Sequence, residues 1–141
     1  MDAATLKADG WRWIDAAGFS SIVGSIWLKE SGEELLVGML SNERHANENL
    51  GTVHGGVLMT FADIAFGCAV AEAINGVHCA TVQLQLQFVA SPTIGDFITC
   101  RPEVVRRTRV LAFLRGLITA DDRVVASADG MFRVFEQTQS G

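Results

Sequence analysis

Gly55 and Gly56 stand behind His54 and ahead of an apolar run from 57 to 74, leaving adjacent backbone N–H groups bare of side chains where a helix should begin. The first N–H groups of a helix have no internal partner, and the helix dipole adds positive potential there. Such a site can hold an anion, or polarise a carbonyl whose oxygen gains charge in a transition state. Paired glycines also serve simply for close packing or a tight turn, and for the pair alone that reading stays open. Further along, Asp63 puts a carboxylate where a core helix would carry an alkyl group. Asp is almost never fully buried without a partner. An apolar surround penalises a carboxylate's charged form and suits it to general-base or nucleophilic work. A buried Asp bonded to a loop amide or an arginine is the alternative.

Helical spacing places Met59, Thr60, Phe66, Gly67 and Val70 on the face of Asp63, with Glu72 on the opposite side. Gly55 and Asp63 then lie roughly 12 Å apart along the axis, at about 1.5 Å per residue. One carbonyl cannot touch both groups of the same helix. If they cooperate, the carbonyl-polarising end of one subunit faces the carboxylate of another, which predicts a homodimer with the site at its interface.

The elements that must hold these groups follow from the pattern. Residues 3–17 read as a short helix ended near Gly10 or Gly18, so 1–18 is expected to be an N-terminal helical segment. Residues 21–29 and 34–41 read as strands joined by a hairpin through Glu30-Ser31-Gly32-Glu33. The stretch 42–52 is a polar, Asn-rich loop. The run 57–73 is long enough, and rich enough in Ala and Met, for a helix stopped by Asn75-Gly76. In 81–88, Val82, Leu84, Leu86 and Phe88 alternate with Thr81, Gln83, Gln85 and Gln87. Strands at 97–105, 110–120 and 124–135 complete the chain, the first two separated by 106–109. Two strands, one helix and four strands make an α+β domain, a mostly antiparallel curved sheet wrapped around one long central helix.

Composition narrows the function. At 141 residues the chain is one domain, 1–141. Net charge of −5 argues against nucleic acid as the main partner. Asp63 and Glu72 interrupt the longest apolar run, so no membrane span is expected, and with no secretion signal at residues 1–7 a cytoplasmic location is. Cys68, Cys79 and Cys100, widely spaced, suit free thiols in a reducing compartment. His45 and His54 lack a third metal ligand at suitable spacing, so no metal site is expected. His78 and Cys79, as strand neighbours, point to opposite faces and form no nucleophilic pair.

The Asn-rich loop, Gly51-x-x-His54-Gly55-Gly56, Asp63, and the later Ser91-Pro92 and Gly95-Asp96 together resemble a hotdog-fold acyl-CoA thioesterase of the phenylacetate-degradation (PaaI-like) group, over roughly residues 35 to 135. The resemblance implies a hotdog fold paired as homodimers or homotetramers. It implies hydrolysis of an acyl- or aroyl-CoA thioester, coenzyme A entering as part of the substrate, with no separate cofactor. The Gly55 amide would polarise the thioester carbonyl, with His54 shaping its loop and Gly56 beside it. Asp63 of the facing subunit would activate water or attack directly. Thr81 falls where related enzymes carry a Ser or Thr that helps place the water, although an exposed strand Thr explains it equally. Ser91 and Pro92 would line the way in for the pantetheine arm. The family often has Asn or Gln six residues before the motif His. Here that position is Glu48, so Asn47 or Asn49 is expected to assist at the carbonyl. Arg106 and Arg107 are candidates for the coenzyme A phosphates through charge-assisted hydrogen bonds, against the simpler reading of a solvated turn. A non-catalytic acyl-CoA-binding or regulatory hotdog domain is the alternative function, disfavoured because ligand sensing needs no base. A hydratase would pair an Asp with a nearby His on a differently placed helix motif.

Overall fold

The structure, a computed structural model, describes residues 1–48, 50–74 and 78–135. Its elements are α1 (Ala3–Ala8), β1 (Arg12–Trp13), α2 (Ser20–Val23), β2 (Ile26–Ser31), β3 (Glu34–Leu40), a 3₁₀ turn (Glu43–His45), α3 (Gly55–Ile74), β4 (Cys79–Phe88), β5 (Phe97–Cys100), β6 (Glu103–Arg107), β7 (Leu111–Ala120) and β8 (Arg123–Val134). One eight-stranded antiparallel sheet runs in the order β1-β2-β3-β5-β7-β8-β4, with β6 also paired to β7. Among the described residues the strand β4 is an edge: it pairs with β8 on one side only.

The long helix is apolar all round because the sheet curls about it. Leu58, Phe61, Ala62, Ala65, Phe66, Ala69 and Val70 of α3 are buried against Val37, Met39, Ile98, Ile118 and Val125 of the strands. Phe66 packs over two strand positions that lack side chains. A Cβ on Gly116 would lie 3.5 Å from its ring, and one on Gly130 3.3 Å. By length and composition alone α3 could cross a membrane, despite Asp63 and Glu72, but it is the core helix of the fold. The outer sheet face carries a second cluster of Trp11, Trp27 and Phe97, covered by Leu6 of α1.

Several expected boundaries move, each for a local reason. The N-terminal segment is helical only over α1, where the Asp2 side chain accepts from Thr5 N–H at 2.9 Å. Within 1–18, Arg12 and Trp13 are a strand instead, paired with Leu28 and Trp27. Residues 21–23, the start of the strand read over 21–29, fall instead in α2, and Gly24 and Ser25 at positive φ redirect the chain into β2. The hairpin closes on Ser31 and Glu34, and Gly32 at φ +65° supplies the left-handed residue a two-residue turn requires. The strand read over 97–105 is broken at Pro102, which has no N–H for the ladder, into β5 and β6, both on β7. Arg106 and Arg107 are therefore strand residues of β6, not part of a turn. The Asn75-Gly76 stop lies outside the described residues.

Candidate active site

The start of α3 is pinned from below. His45 is buried; its Nδ1 accepts from Asn42 N–H at 3.1 Å, which leaves Nε2–H to donate to Val23 C=O at 2.7 Å. The His45 carbonyl accepts from His54 N–H at 2.8 Å, and Pro92 C=O accepts from Val53 N–H at 2.9 Å. His54 is thereby fixed as the N-cap of α3. Its Nδ1 accepts from Gly56 N–H at 2.8 Å, and its carbonyl from Val57 and Leu58 N–H. A Cβ on Gly56 would sit 3.0 Å from that Nδ1, which is why a bare residue suits the cap. Gly55 N–H is then the one donor of the first turn left without a protein partner among the described residues.

Asp63 lies two turns further on, half-buried, and accepts at Oδ1 a hydrogen bond from the Thr81 hydroxyl of β4. Simple alternation would turn Thr81 away from the helix, on the face of Gln83 and Gln85. The β4–β8 register shifts between Thr81 and Gln83, a bulge that leaves Val82 out of the ladder. A one-residue shift reverses which face a side chain occupies. Thr81 therefore opposes the buried Phe132 and shares the helix side of the sheet with Leu84 and Leu86. Cys79, two residues before Thr81, has its thiol pushed upward in pKa, first by burial and then by the charge of Asp63. That keeps it a thiol, not a thiolate nucleophile.

The Thioesterase superfamily profile matches residues 50–127, more than half of the chain and including both groups. The chain belongs to the thioesterase superfamily. It is 30% identical over 115 residues to the Pseudomonas aeruginosa protein named "Putative esterase PA0474", covering 80% of this chain and 85% of that one. It is 27% identical over 97 residues to acyl-coenzyme A thioesterase 13 of Mus musculus, covering 68% and 69%. The structure of the BH2602 protein of Bacillus halodurans with CoA superimposes with a TM-score of 0.76 at 20% identity, covering 95% of this chain and 86% of that one. The hotdog architecture is shared.

Within this thioesterase-superfamily domain the remaining residues singled out in the sequence are scattered. Asn47 is half-buried, and its backbone holds the loop through Thr52 C=O at 2.7 Å and Leu50 N–H at 3.1 Å. Glu48, exposed, takes a φ of +50°, a conformation costly for a residue with a Cβ. Asn49 lies outside the described residues. Ser91 is exposed, whereas Pro92 is fully buried, so its structural contribution is the anchoring carbonyl and not an open wall. Arg106 and Arg107 are both exposed but sit on opposite faces of β6: Arg106 opposes Phe113, and Arg107 opposes the buried Ala112. They cannot together grip one phosphate. Among the described residues no group of three or more His, Cys, Asp or Glu side chains converges. Two clefts of the protomer, about 460 and 590 Å³, are lined by Thr99, Arg115 and Leu117 on the outer sheet face, and by Glu33, Glu72 and Val104 beside the end of α3. Neither includes Gly55 or Asp63. Sequence reasoning missed the bulge at Val82 and the structural use of His45, both of which depend on contacts distant in the chain.

Proposed function

We propose that the protein hydrolyses an acyl- or aroyl-CoA thioester to the free acid and coenzyme A, at a site assembled from two subunits. The observation that carries this reading is the unpartnered Gly55 N–H at the head of the helix that also bears the Thr81-bonded Asp63. A thioester carbonyl accepts a hydrogen bond from Gly55 N–H, which strengthens as the oxygen becomes negative in the tetrahedral intermediate. Asp63 removes the proton from an attacking water, or attacks the carbonyl carbon itself. The C–S bond breaks and coenzyme A leaves as the thiol. The acid forms directly when water attacks; after attack by Asp63, a second step in which water hydrolyses the acyl–Asp63 anhydride releases the acid and restores the carboxylate. Thr81 holds one Asp63 oxygen in place. Asn47 or Asn49 assists at the carbonyl, and Ser91 with Arg106 or Arg107 meets the pantetheine arm and phosphates. The mouse thioesterase and the neighbour studied with CoA support this substrate class.

The second subunit enters through geometry. Gly55 and Asp63 lie on one continuous helix, roughly 12 Å apart along it. Phe88 packs at Gly55 and Thr81 binds Asp63, so the two half-sites lie toward opposite ends of the unpaired edge of β4. A two-fold axis near Leu84 and Gln85 pairs this edge with its copy and sets Thr81 opposite Phe88 of the partner subunit. Gly55 N–H of one protomer then approaches Asp63 of the other. An open ten-residue edge strand bearing exposed Val82 and Phe88 is an unfavourable surface for a monomer, which supports the pairing.

Release of free thiol from a panel of aliphatic and aromatic CoA thioesters tests the proposal. Wild type should turn over, and Asp63→Asn should lose about 10²–10⁴-fold in kcat with its fold intact. Tight CoA binding without turnover by wild type would favour a binding domain instead.

A further inference from the structure

We infer that Phe88 forms an apolar wall of the carbonyl-polarising half-site, touching the substrate beside the Gly55 N–H and keeping water from it. The inference rests on the thioester-hydrolase reading above and extends it to a residue outside the glycine and Asp63 motifs. Phe88 ends β4 on the helix side of the sheet, in phase with Leu84 and Leu86, and opposes the buried Ala126. Those two leucines pack against the core, whereas Phe88 remains 51% exposed. Its ring is placed at α3: Cε1 and Cζ each lie 3.5 Å from where a Cβ on Gly55 would stand.

The direction of that contact matters. In a helix the Cα–Cβ bond tilts toward the N-terminus, the end from which the first N–H groups also emerge. The phenyl ring therefore stands at the end of α3 where Gly55 N–H is free. The imidazole of His54 occupies the corresponding place against Gly56, 3.0 Å from its Cβ position, and takes up that residue's N–H. One ring lies against each glycine: the imidazole consumes a donor, and the phenyl cannot. A carbonyl oxygen bound by Gly55 N–H meets the phenyl with its neighbouring atoms. The ring lowers the local polarity, and a hydrogen bond to a developing oxyanion is stronger where water is excluded.

The test compares Phe88→Leu with Phe88→Gln. Position 88 is half exposed in the protomer, so both side chains allow the protomer to fold, and the dimer mass reports any effect on pairing; only leucine keeps the wall dry. Turnover of the best CoA thioester, melting temperature and mass by light scattering are measured for each, with wild type and Asp63→Asn alongside. Phe88→Leu should keep kcat within a few-fold of wild type. Phe88→Gln should lose on the order of tenfold in kcat, less than loss of a whole oxyanion donor, with melting and dimer mass retained. Equal kcat for the two variants would overturn the inference, as would a loss that tracks dimer dissociation or melting. Where wild type turns over and Asp63→Asn does not, such a result removes Phe88 alone. Where wild type releases no thiol, the hydrolase reading fails and the inference falls with it.

Discussion

The hydroxyl of Thr81 on the edge strand donates to Oδ1 of Asp63 on the core helix, and does so because β4 bulges at Val82. The bond holds the carboxylate from one side. Asp63 Oδ2 has no protein partner among the described residues, and it is the oxygen to which the proposed reaction assigns the water or the carbonyl carbon.

Thr81→Ala should therefore lower kcat while sparing the fold, because Thr81 is exposed and contributes little packing. A hydrogen bond to a charged group is worth about 1.5–3 kcal/mol, so a loss of roughly tenfold or more is expected. Thr81→Ser should restore most of it. Wild-type kcat in Thr81→Ala would mean that the bond does not orient the carboxylate for chemistry.

The edge itself can be blocked without replacing Gly55, Asp63 or Thr81. Val82 is 55% exposed in the protomer, so Val82→Lys should fold normally. A lysine on an edge strand opposes strand addition. Light scattering should show a shift from dimer toward monomer, and specific activity should fall with the dimer fraction. A monomeric Val82→Lys protein with full turnover would argue for a site within one subunit.

The thiols make a separate prediction about alkaline stability. Burial pushes Cys100 from 9.0 to about 12 and Cys68 to about 11. The folded state thus holds these protons more tightly than the unfolded chain. Their contribution is complete below about pH 9 and is lost as pH rises toward the folded values. The melting temperature should fall progressively above pH 9, and Cys100→Ala should fall less steeply from its own starting point. With no tyrosine in the chain, that change of slope is readily assigned. Parallel pH profiles for the two proteins would rule Cys100 out as a source.

Much of this architecture is written in residue patterns. The apolar run after Gly56 declares α3 because its length and Ala content leave no alternative, and Asp63 stands out because a carboxylate there needs a reason. The β2–β3 hairpin is legible because Gly32 supplies the positive φ that its turn demands. The strand Arg12–Trp13 is too short to show a period, and only its pairing with β2 makes it a strand. The break at Pro102 was signalled by the proline itself, but the apolar residues on either side read as one strand. The bulge at Val82 is the least legible feature. Thr81 followed by Val82 looks like unbroken alternation, and only the register against β8 shows that Thr81 faces inward. The residues of the proposed half-sites stand out in the sequence; the contacts that bring Thr81 to Asp63 and Phe88 to Gly55 do not.

The most direct test of a site shared between subunits is complementation between two inactive proteins. Gly55→Pro removes the polarising N–H at the first helical position, where proline is tolerated, and Asp63→Asn removes the carboxylate. Each alone should be inactive. Unfolded and refolded together, half of the dimers should be mixed, and each mixed dimer should hold one site with both groups intact. Activity should return to about a quarter of wild type. If Gly55 and Asp63 acted within one chain, every mixed dimer would be dead, and no recovery on mixing would contradict the account.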